Sequence, residues 1–168
     1  MIQSITKKKH LLNVIEFFQT FFSYDFYITE NNTRIYISDY ASIRKLFRQS
    51  IKLLMSIDKG KCSGVLSVWK SVGGDTIRYY LKLGAFDDNI ADKLLTILLW
   101  NFTKDLYVKV RKDNKFLGVL KRKGFRFQAG RGSQVLLFRK YIAPIRKPNE
   151  RNINYNRDTS SVSAERDE

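Results

Sequence analysis

A chain of 168 residues with 43% hydrophobic and 14% aromatic residues has the size and apolar content of one domain with its own core. A single Cys62 and a single His10 exclude an internal disulfide, a cysteine metal cluster and a histidine metal site, and no stretch reaches the ~20 apolar residues of a membrane span. The formal net charge of +15 is unevenly placed, with fourteen Lys and Arg against two Asp between Lys104 and Lys147. Such clustering reads either as a solvated face or as the electrostatic footprint of a polyanion partner.

In chain order, Lys7, Lys8 and Lys9 precede an apolar run that Asn13, Glu16 and Gln19 interrupt, which is no signal peptide. The lone cysteine fits a reducing compartment. Leu11, Ile15, Phe18 and Phe22 recur at helical spacing and predict a first amphipathic helix from Ser4 to about Phe22. Asp25 to Ser38 then predicts two short strands joined at Asn31-Asn32, a pair that tolerates positive φ. Asp39 caps a predicted second helix whose Ile43, Phe47, Ile51 and Leu54 face inward, and which the turn Asp58-Lys59-Gly60 ends.

Gly64–Val72 and Thr76–Leu83 are β-rich runs around Gly73-Gly74-Asp75 and predict an antiparallel hairpin. Lys93 to Phe102 is apolar on nearly every side, so a buried helix is expected there. Leu106, Val108 and Val110 alternate with Tyr107, Lys109 and Arg111, a strand with one apolar face. A short helix carrying Phe116, Leu117 and Leu120 follows, capped by Asp113 or Asn114 and stopped by Gly124. Phe125–Gln128 and Gln134–Arg139 close the domain as two strands around Ala129-Gly130-Arg131-Gly132.

The run YVKV, Asn114, FLGVLKRK and Gly124-Phe125 resembles the strand, Asn, helix and closing Gly-Phe of the GNAT N-acetyltransferase superfamily. The resemblance covers about Gly64 to Tyr141 and implies an α/β (α+β) fold, a central mixed, mostly antiparallel sheet flanked by helices, as one domain over 1–143. It also implies acyl transfer from acetyl-coenzyme A to an amine without a metal. The thioester would enter between Arg78–Leu83 and Leu106–Val110, where these two strands splay apart, with backbone amides near Leu81, Lys82 and Leu83 polarising its carbonyl and Asn114 at the pantetheine arm.

Several positions depart from the family pattern. The phosphate loop falls on Phe86, Asn89 and Ala91, of which only Ala91 fits, and Asp87 and Asp88 bring negative charge to that place, where an acidic helix cap is the plainer explanation. The position of the usual general-acid tyrosine is Leu120. Tyr79, Tyr80 and Tyr107 lie on the two splayed strands and are the remaining candidates for proton transfer, although a tyrosine of pKa near ~10 is a poor base and strand aromatics usually pack. Asn114 serves equally well as a helix cap.

An alternative from another class is a non-catalytic protein of this fold that binds nucleic acid or a viral assembly partner through Lys109, Arg111, Lys112, Lys121, Arg122, Lys123, Arg126 and Arg131. Small degenerate proteins of this fold occur among phage internal virion and assembly proteins, and the Lys-, Asn- and Tyr-rich chain looks like one of them. That resemblance implies the host cytoplasm or the virion, and no membrane. Arg131 between two glycines is also an ordinary turn residue, Cys62 a small residue at a strand start, and His10 an exposed neighbour of lysines. From Pro144 onward the composition turns polar, and 144–168 reads as a disordered tail.

Overall fold

The computed structural model describes residues 1–5 and 8–143, and the tail 144–168 lies outside the described residues. Strand β1 (Ile2–Ser4) leads to helix α1 (Lys8–Thr20), the hairpin β2 (Tyr27–Glu30) and β3 (Thr33–Tyr36), and helix α2 (Tyr40–Gln49). Strands β4 (Ser50–Asp58), β5 (Lys61–Gly73) and β6 (Thr76–Ala85) form a meander, and helix α3 (Asp88–Asn101) crosses over to β7 (Leu106–Arg111). Helix α4 (Leu117–Arg122) and the hairpin β8 (Arg126–Arg131) and β9 (Gln134–Arg139) follow. Seven strands make one sheet in the order β1-β4-β5-β6-β7-β9-β8, antiparallel throughout except for the parallel pair β6–β7.

Local chemistry explains most corners. Asp39 accepts from the Ser42 amide at 2.8 Å while the Ser42 hydroxyl accepts from the Asp39 amide at 3.1 Å, a reciprocal cap that starts α2. Asn31 and Asn32 both take positive φ, 47° and 62°, and turn β2 into β3 as their type predicts. Gly124 stops α4 with φ 86°.

Two cores sit on opposite faces of the sheet. One joins α3 and α4 to the sheet through Leu94, Leu95, Leu98, Val119, Leu120 and Phe125. The other joins α1, α2 and β2 to the sheet through Phe17, Phe26, Ile28, Ile43, Met55 and Val65. Each fully buried leucine or phenylalanine contributes on the order of 2 kcal/mol, so both layers are held mainly by apolar burial. The N-terminal layer covers only part of its face, and among the described residues its core includes none of β7, β8 or β9, so that end of the face is open.

The first helix spans Lys8–Thr20 rather than Ser4 to Phe22, with Ser4 paired into strand β1 and Phe22 exposed. Four further expectations need correction. Ser50–Asp58 is not the end of a helix but strand β4, because Leu53 and Met55 enter one core while Leu54 enters the other. A run buried on both faces loses its alternation and imitates a buried helix. Phe47 and Ile51 are accordingly exposed rather than inward. Helix α3 buries one side only, through Ala91, Leu94, Leu95 and Leu98, and leaves Trp100 79% exposed. The last hairpin turns at Gly132-Ser133, since a bulge between Phe127 and Ala129 extends β8 as far as Arg131. His10 is buried, with its Nε2 3.4 Å from Gln3 Nε2, instead of exposed.

Candidate functional site

The parallel seam between β6 and β7 is short. Tyr79 pairs with Leu106, Tyr80 with Tyr107 and Leu81 with Val108, and beyond that the strands part. Amides along a strand point alternately to its two sides. Lys112 N donates to Ser133 O, so Arg111 N faces the gap. There it donates to Asp25 Oδ1 at 3.1 Å, while Asn114 Nδ2 donates to Asp25 Oδ2 at 2.5 Å. The loop between α1 and β2 thus places a carboxylate in the opening, where it satisfies a strand amide that splaying leaves without a strand partner. Phe21 fills the β6 side: a Cβ added to Gly84 would lie 2.8 Å from Phe21 Cε1, so only glycine admits the ring. A hollow of about 440 Å³ remains over this end, lined by Tyr24, Asp25, Arg111, Asn114 and Lys115 among others.

A second cleft, of about 560 Å³, opens on the same face between β2 and the β5–β6 pair, lined by Tyr27, Trp69, Tyr80, Lys82 and Lys109 among others. Lys82 Nζ donates to the Tyr27 carbonyl oxygen and lies 3.2 Å from the Tyr27 ring centroid and 4.0 Å from that of Trp69. The carbonyl and the two rings favour an ammonium. Burial opposes them and dominates, pushing the Lys82 pKa down to about 6, with Arg34 adding to the depression and Asp25 opposing it.

Solved structures share this fold. An acetyltransferase of the GNAT family from Streptococcus pneumoniae matches with a TM-score of 0.64 at 11% identity, over 84% of this chain and 99% of that one. A candidate acetyltransferase from Salmonella typhimurium, solved with its cofactor acetyl-CoA, matches at 0.61 and 14% identity, over 89% and 98%. The ribosomal-protein-alanine N-acetyltransferase of Brucella melitensis matches at 0.57 and 15%, over 82% and 96%. The chain has the GNAT acetyltransferase fold. At these identities the likeness is one of fold alone. No model of a known protein family matches the sequence, and no curated protein does.

Within the acetyltransferase fold, the predicted site residues fall as follows. Tyr79 lies on the core side of β6, its ring centroid 5.5 Å from that of Phe102. Tyr80 and Tyr107 lie on the opposite face, 5.6 Å apart. Leu81 and Leu83 are buried in the core beside α3, whereas Lys82 faces the cleft. Leu120, in the place of the family's tyrosine, is 1% exposed and packs in the same core. Asn114 spends its Nδ2 on Asp25 and accepts from Phe116 N with its Oδ1 at 2.8 Å, which closes the turn before α4. The expected cap by Asp113 or Asn114 is not formed, because the helix starts later, at Leu117, with Phe116 as its N-cap and no side-chain cap bond.

At the start of α3, Asp87 Oδ1 accepts from Ile90 N at 2.8 Å, and Ala91 N donates to the Asp87 carbonyl. Asn89 is exposed in that first turn and Ala91 is buried. Phe86 packs edge-on to Phe17, and its carbonyl accepts from Lys115 Nζ at 3.2 Å. Cys62 is buried with its thiol pushed up to about 11 by loss of water, which suits a packing residue. Among the described residues no His, Cys, Asp and Glu are grouped as a metal site, and no helix is long and apolar enough to cross a membrane.

The predicted basic set divides between two faces. Lys121 and Arg122 lie on α4 and Lys123 at its C-cap, where Lys123 pairs with Asp92 at 2.8 Å and Arg122 approaches Asp88 at 4.0 Å. Lys109, Arg126 and Arg131 lie on the open face, which register assigns to them through Leu136, Phe138 and Gln134. Arg111 shares the face of Lys109 on β7 but pairs with Asp113 at 2.7 Å, and Lys112 sits exposed in the turn after it. Asp25, Trp69 and Arg78 are the additions that sequence reasoning missed. Asp25 reads as the start of a strand, whereas it precedes β2 and bonds to the end of β7, and Trp69 and Arg78 read as one hairpin's ordinary strand residues.

Proposed function

We propose that this chain keeps the acetyltransferase fold as a scaffold and works by binding a polyanion, nucleic acid, on the open face of its C-terminal half. The observation that carries this is charge placement. Strands β6 to β9 contain no Asp or Glu. Arg78, Lys109, Arg126 and Arg131 are exposed there without an ion-pair partner among the described residues. Cations that merely solubilise a sheet edge are usually interspersed with acids. A labelled DNA duplex titrated at two salt concentrations tests the reading. Binding is expected to weaken steeply with salt, and Arg126→Gln with Arg131→Gln to lower the slope by roughly 0.9 for each phosphate no longer neutralised. No binding at low salt would remove nucleic acid and leave a protein partner, such as a viral assembly, for this surface.

A second reading is acyl transfer from acetyl-CoA to an amine, favoured by the opening of β6 from β7 beyond Leu81 and Val108 and by the structural neighbour solved with acetyl-CoA. Three features weigh against it: the Asp25 carboxylate on the Arg111 amide, the acid-capped first turn of α3, and Leu120 in the core. A bound cofactor would need the strand opening and the helix N-terminus that the first two groups occupy, and Leu120 offers no proton donor. Calorimetry with acetyl-CoA separates the readings. Weak or absent binding is expected, and micromolar affinity would make acyl transfer the better account.

A further inference from the structure

Trp69 of β5, Tyr80 of β6, Tyr107 of β7 and Phe138 of β9 are successive register partners across four strands. Directly paired residues point to the same face, so the four rings form one row across the sheet. Neighbouring ring centroids are 6.4, 5.6 and 4.9 Å apart, and every ring is only partly buried. Cations border the row. Arg78 Cζ lies 5.5 Å from the Tyr107 centroid, Arg126 is the register partner of Phe138, and Lys109 and Arg131 line a shallow hollow of about 200 Å³ beside Leu136.

Cross-strand aromatics ordinarily pack beneath another layer. Among the described residues this row has none above its Tyr107 and Phe138 end, since the N-terminal core includes no residue of β7 or β9. A duplex hides its base faces in its own stack and offers such rings nothing, whereas a single strand can lay successive bases on them while its phosphates meet the bordering cations. We propose that the open sheet face binds single-stranded nucleic acid, with bases on the Tyr80–Tyr107–Phe138 row and the backbone on Arg78, Lys109, Arg126 and Arg131. This rests on the polyanion reading above and narrows it.

The test titrates the full chain with a fluorescein-labelled oligothymidylate and an oligouridylate, each of about 15 nucleotides, and with a DNA hairpin duplex, at low salt. At least one single strand is expected to bind about tenfold tighter than the duplex, and the tighter of the two identifies the sugar preferred. Tyr107→Leu, which keeps apolar bulk but removes the π face, should lose about tenfold on that strand and leave duplex binding unchanged, while Tyr107→Phe keeps both. Arg126→Gln with Arg131→Gln should weaken all three probes. Thermal melts establish that each variant is folded. Duplex binding as tight as single-strand binding, or a Tyr107→Leu protein with undiminished single-strand affinity, overturns the inference while the polyanion reading stands. Absence of binding by every probe at low salt overturns both.

Discussion

Lys82 concentrates the largest electrostatic conflict in the molecule. Its amine is enclosed by Tyr27 and Trp69 and held by the Tyr27 carbonyl, yet burial lowers its pKa from the ordinary 10.5 to about 6. Between those values the unfolded chain binds a proton that the folded chain does not, so this group's contribution to stability rises with pH across that window and is flat outside it. The slope approaches about 1.4 kcal/mol per pH unit where one proton separates the two states. Urea denaturation at pH 6, 7, 8 and 9 of the wild type and of Lys82→Met checks this, as the substitution removes the proton and should flatten the curve. An unchanged slope would mean that water or an unseen anion keeps the amine charged. From the sequence, Lys82 was placed beside a cofactor by resemblance alone. Its actual surroundings come from Tyr27, fifty-five positions away, a contact that no local pattern encodes.

Short-range signals were legible wherever one residue type answers one geometric demand. Asp39, Asn31-Asn32, Gly74 and Gly124 each mark a cap or turn that the chain adopts. Where burial on both faces erased the alternation, as in Leu53-Leu54-Met55, strand and helix could not be told apart by pattern. The Arg111–Asp25–Asn114 contacts were illegible for another reason, since the Asp25 side chain reaches a backbone amide and a side-chain amide 86 and 89 positions away.

The short helix α4 supports a prediction of its own. Leu120 is buried with Val119 and Phe125 in the core beneath α3, so Leu120→Ala should destabilise by roughly 2–5 kcal/mol, read as a lower urea midpoint at unchanged slope. Any ligand binding by the folded fraction should stay as in the wild type. A loss of binding without a loss of stability would assign Leu120 a role at the site.

At the scale of the whole molecule, the excess charge is less uniform than the run from Lys104 to Lys147 implied. Arg122 and Lys123 face Asp88 and Asp92 on α3, while Arg78, Lys109, Arg126 and Arg131 on β6, β7 and β8 face solvent. The acidic partners precede the basic run in sequence, so counting within the run overstated its reach as a surface. The fold class was legible because element order and one hairpin after another restrict how a sheet can close. The division of its two faces was not, because that depends on how far α1 and α2 extend over the sheet.

The shortness of the β6–β7 pairing has a mechanical side. Three register pairs join these strands, against ten between β5 and β6. Of the ladders between the Lys59 and Ser133 turns this is the shortest, so tension applied between those turns meets least backbone resistance there, with side-chain packing under α3 left to oppose it. Handles attached at the Lys59 and Ser133 turns, pulled apart in an optical trap, should therefore release β7, α4, β8 and β9 first, as one unit. The β4–β5–β6 meander should yield later and at higher force.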